Sequence, residues 1–182
     1  MINLCSNSQT RALILKENSI EFTQNATDFD EESLDIQNPK SFVYSATVGK
    51  FQSAIKKFDL DTPILVADTV VTTNNSLLRK ANSIDEAREL LLKQSDSQTS
   101  IITAMIYQSR EFKLIDISET KYIFDKFENS DLDSYLESNL WQGKAGAIMV
   151  EGFARKYIKE QIGYTSCAMG LTIEKLIPFL KR

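Results

Sequence analysis

The stretch PILVADTVVT, residues 63–72, is an apolar run with one carboxylate, that of Asp68, near its middle. Its length and its content of Val, Ile and Leu are typical of a strand buried on both faces of a sheet. An ionised carboxylate in such a strand is costly unless it meets a cation, a metal ion or several hydrogen-bond donors. Two interpretations of Asp68 follow: a turn cap at the end of the strand, or a functional group.

The segments on either side of this run alternate between strand and helix patterns. Strands are predicted over residues 2–5, 20–23, 99–107, 112–124 and 157–162, and helices after Ser8, from Asn38 to Phe58, after Ser83 and over residues 172–180. No internal repeat or linker interrupts the pattern. The sequence therefore predicts an α/β protein folded as one domain over residues 1–182.

Length and charge limit the function. At 182 residues the chain forms one large domain or two small lobes around a cleft. A net charge of −4 without a dense Lys/Arg run argues against nucleic acid as the main ligand. No apolar run approaches the roughly 18 residues that span a bilayer, and the N-terminus at residues 1–4 lacks a basic segment followed by an apolar one. We expect a soluble cytoplasmic protein with no membrane partner.

The chain contains no histidine and only two cysteines, Cys5 and Cys167, without metal-ligand spacing. The absence of histidine excludes Ser/His/Asp and Cys/His catalysis and His-ligated zinc. Acids, bases and metal ligands must then be carboxylates, Lys, Tyr or Cys. Any metal chemistry is therefore expected to use Mg²⁺ or Mn²⁺.

Two common phosphate-binding motifs are absent. There is no GxxxxGK[ST] of a P-loop, and no GxGxxG follows a predicted strand. The run after Asp68 also differs from the phosphoaspartate motif of haloacid-dehalogenase-type phosphatases, because Val70 occupies the position of the second Asp.

Two basic residues on predicted helices, Arg11 and Lys50, are candidates for anion binding. The turn Ser6-Asn7-Ser8 joins a strand to a helix, where backbone N–H groups and hydroxyls bind phosphate well. Arg11, in the first turns of that helix, is either a solvated surface residue or a ligand contact. Lys50 lies at the edge of the apolar stripe of its helix, so its ammonium either extends to solvent or enters a cleft.

Two further segments leave structural and functional interpretations open. The acidic run at residues 28–32 is either a solvated loop or a set of carboxylates gathered around a cation. The two glycines beside Lys144 allow a ligand to approach the backbone closely, or they mark bends in a sheet.

Six motifs follow one another along nearly the whole chain. They are LCSNSQTR at 4–11, DFDE at 28–31, ADTVV at 67–71, RKA at 79–81 with EA at 86–87, ITA at 102–104, and KAGA at 144–147. In this order they resemble the Maf family, the septum-formation-inhibitor-like nucleoside triphosphate pyrophosphatases. The resemblance implies a Maf/ITPase-like α/β fold, in which a mixed, twisted sheet with flanking helices forms two lobes around a cleft.

The resemblance also implies an activity. A nucleoside triphosphate is hydrolysed between its α and β phosphates with a divalent cation, Mg²⁺ or Mn²⁺, giving the monophosphate and pyrophosphate. Matching positions imply phosphate contacts from Ser6, Arg11, Lys50 and Lys80, further substrate contacts from Lys144 and Glu151, and metal or water contacts from Glu31 and Asp68. The register of the metal ligands among Asp28, Asp30 and Glu31 stays open.

Asp68 is the predicted general base, or the residue that orients the attacking water, because it is the carboxylate on the most rigid element. The nucleotide base stays open, because Glu151 is similar to the 7-methyl-GTP hydrolases whereas ADTVV and KAGA are similar to the dTTP/UTP group. The resemblance further implies a homodimer and a role in cell-division arrest or nucleotide-pool sanitation. A weakly active or non-catalytic nucleotide-binding regulator of cell division is the alternative function.

Overall fold

The computed structural model describes residues 1–180, apart from the side chain of Glu32. Its centre is a seven-stranded mixed sheet in the order β2-β1-β3-β5-β6-β7, with β4 paired to β3. Pairs β1–β2 and β1–β3 are parallel, and the other pairs are antiparallel. The strands are β1 (Ile2–Cys5), β2 (Phe22–Asn25), β3 (Ile64–Thr73), β4 (Ser76–Leu78), β5 (Gln98–Gln108), β6 (Lys113–Phe124) and β7 (Ile158–Ile162). The predicted α/β class with a mixed sheet is confirmed.

The helices begin largely where the sequence places cap residues. They are α1 (Gln9–Glu17), α2 (Pro39–Lys57), α3 (Ile84–Gln94), α4 (Asn129–Glu137), α5 (Thr165–Ala168) and α6 (Ile173–Leu180). The side chains of Ser8, Asn38 and Ser83 each accept a hydrogen bond from the backbone N–H three residues later. These interactions fix the starts of α1, α2 and α3.

Two local predictions needed adjustment. Strand β2 begins at Phe22 rather than Ile20, and β7 begins at Ile158 because residues 153–157 form a 3-10 helix. Pro178 lies inside α6, which continues to Leu180. None of the helices among residues 1–180 is long and apolar enough to cross a membrane.

Strand β3 is fully paired on only one side. Its ten residues pair with β5 throughout, from Ile64 to Thr73. On its other side β3 pairs with β1 at Ile64 and Leu65 and with β4 from Val71 onward. Among the described residues no strand lies against that side between Val66 and Val70, so the sheet has a gap there, and Asp68 lies at its centre.

The gap separates two lobes on one face of the sheet. One apolar cluster packs α1 and α6 against the first half of β3, around Leu65 and Ala67. A second cluster packs α3 and α4 against the second half, around Val71. On the opposite face α2 covers β3 and β5 through two smaller clusters. The two-lobed arrangement that the sequence predicts is therefore present, and its cleft opens above the gap.

Candidate active site

A cleft of about 720 Å³ lies over the gap in the sheet. All eight residues predicted for the site line it, although they come from seven separate segments: Ser6, Arg11, Glu31, Lys50, Asp68, Lys80, Lys144 and Glu151. Asn7 and Ser8 of the turn before α1, and Asp30 of the acidic run, line the same cleft. The fold therefore brings the predicted phosphate, metal and water contacts into one cavity.

The centre of the cleft is an alternating chain of charges. The Lys50 Nζ donates to Asp68 Oδ1 at 2.5 Å and to Glu31 Oε2 at 2.6 Å. The other oxygen of Glu31 accepts from Lys80. Helix α2 directs Lys50 at the sheet, and the 3-10 helix Glu31–Ser33 directs Glu31 toward the same ammonium. Both carboxylate oxygens contact one nitrogen, so they lie no more than about 5 Å apart.

Burial and charge act differently on these two carboxylates. Burial raises the pKa of Glu31, but the charge and hydrogen bond of Lys50, together with those of Lys80, outweigh it, so this pKa lies well below its ordinary value. Asp68 is only 5% exposed, and this deeper burial raises its pKa above the ordinary value. The charge of Glu31 adds to that increase, while Lys50 and Arg11 oppose it. Two neighbouring carboxylates thus differ in acidity, which is a common feature of catalytic pairs.

Arg11 is buried against the base of the cleft. Its Nε donates to the Gly170 carbonyl at 2.8 Å, its Nη1 to Ser6 Oγ at 2.9 Å and its Nη2 to Thr69 Oγ1 at 3.1 Å. Burial lowers the pKa of the guanidinium, and the charges of Asp68 and Glu31 counteract this. Since a guanidinium has five N–H groups, these bonds leave one N–H on each terminal nitrogen for a ligand.

The structure decides between the interpretations that the sequence left open. Asp68 is the fifth of ten residues in β3 and is not a turn cap. Arg11 is not a solvated surface residue, and Lys50 points into the cleft rather than into solvent. Within the acidic run, Glu31 reaches the central lysines, whereas Asp28 pairs with Lys57 at the end of α2.

Lys144 and Glu151 lie on the second lobe, with Nζ and Oε1 3.9 Å apart. The backbone of this segment is fixed by two contacts of Gly146, whose N–H donates to the Arg79 carbonyl and whose carbonyl accepts from Gln94 Nε2 at 2.7 Å. Gly146 has φ +61°, and an added Cβ would lie 3.0 Å from Val71, so only glycine suits this position. Gly146 thus allows the segment that contains Lys144 to pack closely against β3.

The carboxylates of the cleft suit a divalent cation. Mg²⁺ is usually held by one or two protein carboxylates together with substrate phosphates and water. Glu31 and Asp68 provide two hard oxygen ligands within reach of one ion, at the position where the Lys50 ammonium now contacts both. No cluster of three or more Asp, Glu, Cys or His side chains suited to a metal occurs among the described residues. The donor set therefore fits an ion that also takes ligands from a phosphate group.

Four residues that support the site were not predicted from the sequence. Thr69 and Gly170 hold Arg11, Thr103 holds Thr69, and Gln94 holds Gly146. Thr69 was visible inside the ADTVV motif, but the pairing of Thr69 with Thr103 depends on the register between β3 and β5. Sequence alone does not define that register.

The sheet gap, the two lobes and the cleft of lysines and carboxylates define a two-lobed α/β protein with a site for an anionic ligand. Residues 1–182 match the model of the family described as Maf-like protein, and the chain belongs to that family.

Curated relatives cover the whole chain. A protein of Nitratiruptor is 49% identical over 183 residues, which span 100% of this chain and 99% of the relative. A protein of Helicobacter pylori is 39% identical over 98% of this chain and 94% of its own length. One of Campylobacter jejuni subsp. doylei is 36% identical over 99% and 100%. All three are named nucleoside triphosphate pyrophosphatase.

Proposed function

We propose that this protein is a nucleoside triphosphate pyrophosphatase, which hydrolyses the bond between the α and β phosphates and releases a nucleoside monophosphate and pyrophosphate. The observation on which the proposal rests is the buried Asp68 at the centre of the sheet gap, next to Lys50 and Glu31. Such a site has a carboxylate on a rigid strand and cations at the ends of longer side chains. The names of the full-length relatives support the same activity.

In the proposed reaction Asp68 accepts a proton from the attacking water. The water oxygen forms a bond to the α-phosphorus, and the bond from that phosphorus to the bridging oxygen breaks, so pyrophosphate leaves with the electron pair. The position of Asp68 favours this role, because its carboxylate is held on a rigid strand beside the cations of the cleft. Lys50, Lys80 and Arg11 offset the charge on the phosphate oxygens.

Glu31 and Asp68 would hold the divalent cation, Mg²⁺ or Mn²⁺. When bound, the ion would neutralise phosphate charge and polarise the phosphorus–oxygen bonds. Ser6 and the turn before α1 line the cleft beside Arg11 and are the proposed contacts to phosphate oxygens. Lys144 and Glu151, on the opposite lobe, are the proposed contacts to the rest of the nucleotide.

The activity is tested by incubating the purified protein with dTTP, UTP, 7-methyl-GTP and the ordinary triphosphates in Mg²⁺ or Mn²⁺ and measuring pyrophosphate. Asp68→Asn should reduce release from the preferred substrate by about 10²–10⁴-fold, because it removes the proton acceptor. When hydrolysis is carried out in water labelled with a heavy oxygen isotope, the label should appear in the monophosphate. Label in pyrophosphate would instead indicate attack on the β-phosphorus.

The matched control is Asp116→Asn. Asp116 is also a largely buried carboxylate paired with a lysine, Lys175 at 2.7 Å, but it lies on β6 outside the cleft. Its loss should leave pyrophosphate release unchanged. Equal activity in wild type and Asp68→Asn would contradict the catalytic role, and activity that survives chelation would contradict the metal role. Tight nucleotide binding without hydrolysis would favour a regulatory protein of cell division.

The base preference and the cellular setting are further parts of the proposal. Lys144 and Glu151 line the cleft together, and a swap of specificity in Glu151→Gln would identify Glu151 as a base contact. The proposed cellular location is the cytoplasm, which agrees with two buried free cysteines, Cys5 and Cys167. A homodimer is proposed from the family resemblance, and sedimentation of the full chain tests it.

A further inference from the structure

A chain of hydroxyl groups connects Arg11 to the backbone that follows β7. Arg11 Nη2 lies 3.1 Å from Thr69 Oγ1, which lies 2.9 Å from Thr103 Oγ1. Thr103 Oγ1 lies 2.7 Å from the carbonyl oxygen of Cys167. Thr103 is fully buried. It does not line the cleft, so any influence it has on a ligand must act through other residues.

The chemistry at its two ends fixes the direction of this chain. A guanidinium can only donate, so Thr69 Oγ1 accepts from Arg11. A carbonyl can only accept, so the single proton of Thr103 points at Cys167. Thr103 therefore has no proton left for Thr69, and Thr69 must donate to Thr103. Every hydroxyl in the chain has one assigned orientation.

This arrangement holds the guanidinium at two points of the same segment. The Cys167 carbonyl ends the hydroxyl chain, and the Gly170 carbonyl accepts directly from Arg11 Nε at 2.8 Å. A planar guanidinium fixed at Nε and Nη2 cannot rotate about its axis. We propose that Thr103 is a positioning residue, which acts through the Thr69 hydroxyl to fix the orientation of Arg11 in the cleft. The effect on substrate rests on the proposed function.

The chain provides its own control four residues further along the same two strands. Thr73 and Thr99 are also directly paired across β3 and β5, both are buried, and their hydroxyls lie 2.9 Å apart. This second pair is about 13 Å away at about 3.3 Å per residue. Neither residue lines the cleft or contacts Arg11. Thr99→Val therefore removes one hydroxyl of a comparable buried pair and leaves the contacts of Arg11 in place.

The experiment compares Thr103→Val, Thr103→Ser and Thr99→Val in the full-length protein. Calorimetry measures the affinity for inorganic tripolyphosphate, and steady-state assays measure kcat and KM for the preferred triphosphate. Nuclear magnetic resonance follows the Nε–H signal of Arg11. This signal is assigned by its loss in Arg11→Lys. Thr103→Val should weaken tripolyphosphate binding and raise KM by about tenfold, the effect of one hydrogen bond, with a smaller change in kcat. Its Arg11 signal should shift and exchange faster with water.

Thr103→Ser keeps the hydroxyl and should restore both affinity and signal. Thr99→Val should lose stability as Thr103→Val does but retain wild-type affinity and the wild-type Arg11 signal. Identical affinity and Arg11 signals in the two valine variants would overturn the proposal. If the wild type releases no pyrophosphate, the proposed function fails, while the tripolyphosphate and resonance measurements still decide the role of Thr103. If tripolyphosphate does not bind, the Arg11 signal alone decides it.

Discussion

Replacing Lys50 with methionine would remove the cation between Glu31 and Asp68 while keeping most of the side-chain volume. In the wild type the Lys50 ammonium lies 2.6 Å from the first carboxylate and 2.5 Å from the second, and all three side chains are at most 17% exposed. With methionine at position 50, both carboxylates stay buried and lose their ion pair with α2. We therefore expect a large loss of stability from this single change.

The magnitude follows from three opposing contributions. At an effective dielectric constant of about 20, each contact at this distance contributes about 6 kcal/mol of attraction, and the two carboxylates repel each other by at least about 3 kcal/mol. Desolvation of the three ions costs several kcal/mol each and offsets most of the attraction in the wild type. Without Lys50, the desolvation and repulsion of the carboxylates remain. The free energy of unfolding should therefore fall by about 3–5 kcal/mol, as for other broken buried pairs.

The sign of the pH dependence comes from the effect of Lys50 on both carboxylates. Lys50 lowers the pKa of Glu31 and opposes the rise in the pKa of Asp68, so its removal raises both folded-state values. When the pKa of a carboxylate is higher in the folded state than in the unfolded state, the free energy of unfolding falls as the pH rises through the folded-state pKa. The loss in Lys50→Met should be complete near pH 7 and should shrink as the pH falls through the raised folded-state values of the variant, where the two carboxylates become neutral.

The assay is urea unfolding followed by the fluorescence of Trp141, the only tryptophan, which is 4% exposed. The control is Lys57→Met on the same helix, whose partner Asp28 is 70% exposed. An exposed pair of this kind contributes less than about 1 kcal/mol. The reasoning would be refuted if both variants lost the same stability at pH 7, or if the loss in Lys50→Met did not shrink in acid.

Two other substitutions test the supports of the cleft. Gly170 has φ +103°, and a Cβ there would lie 3.3 Å from Arg11 Nε, so Gly170→Ala should destabilise the protein by about 1–3 kcal/mol and weaken triphosphate binding. Unfolding and calorimetry measure both effects, and unchanged binding would contradict the expected displacement of Arg11. Gln94→Leu removes the 2.7 Å bond to the Gly146 carbonyl and should raise KM several-fold through the segment that contains Lys144. A rise in the unfolding rate with KM unchanged would show that Gln94 only stabilises the fold.

The sequence predicted the local parts of this fold well. The apolar run at residues 63–72 became β3, and Asn38 caps α2 as predicted, because strand burial and helix capping depend on residues close in the chain. The helix start predicted after Ser83 is also correct, but its side-chain contacts are only partly those of a capping box. Ser83 accepts from the Glu86 N–H, but the Glu86 carboxylate accepts from the N–H of Asn82. Such reciprocal contacts depend on the local path of the backbone.

The composition and the resemblance to the family gave the eight residues of the candidate site, six of them inside the motifs and two, Lys50 and Glu151, outside them. The absence of histidine restricted acid, base and metal roles mainly to carboxylates and lysines. The motifs selected Asp68, Glu31, Lys80 and Lys144 from among many similar residues. Neither source of information revealed that Arg11 donates three hydrogen bonds within the protein, because its partner Gly170 is 159 positions away in the chain.

The sequence by itself determined which residues could perform phosphate chemistry and where the central strand and its flanking helices would form. Only the tertiary structure decided that β1 and β4 leave a gap along β3 at Asp68, that Lys50 contacts two carboxylates at once, and that Thr103 supports Arg11 through Thr69. Local patterns arise from neighbours in the chain. The gap, the charge chain and the hydroxyl chain arise from strand register and from contacts between distant segments, which are fixed only when the two lobes pack on the sheet.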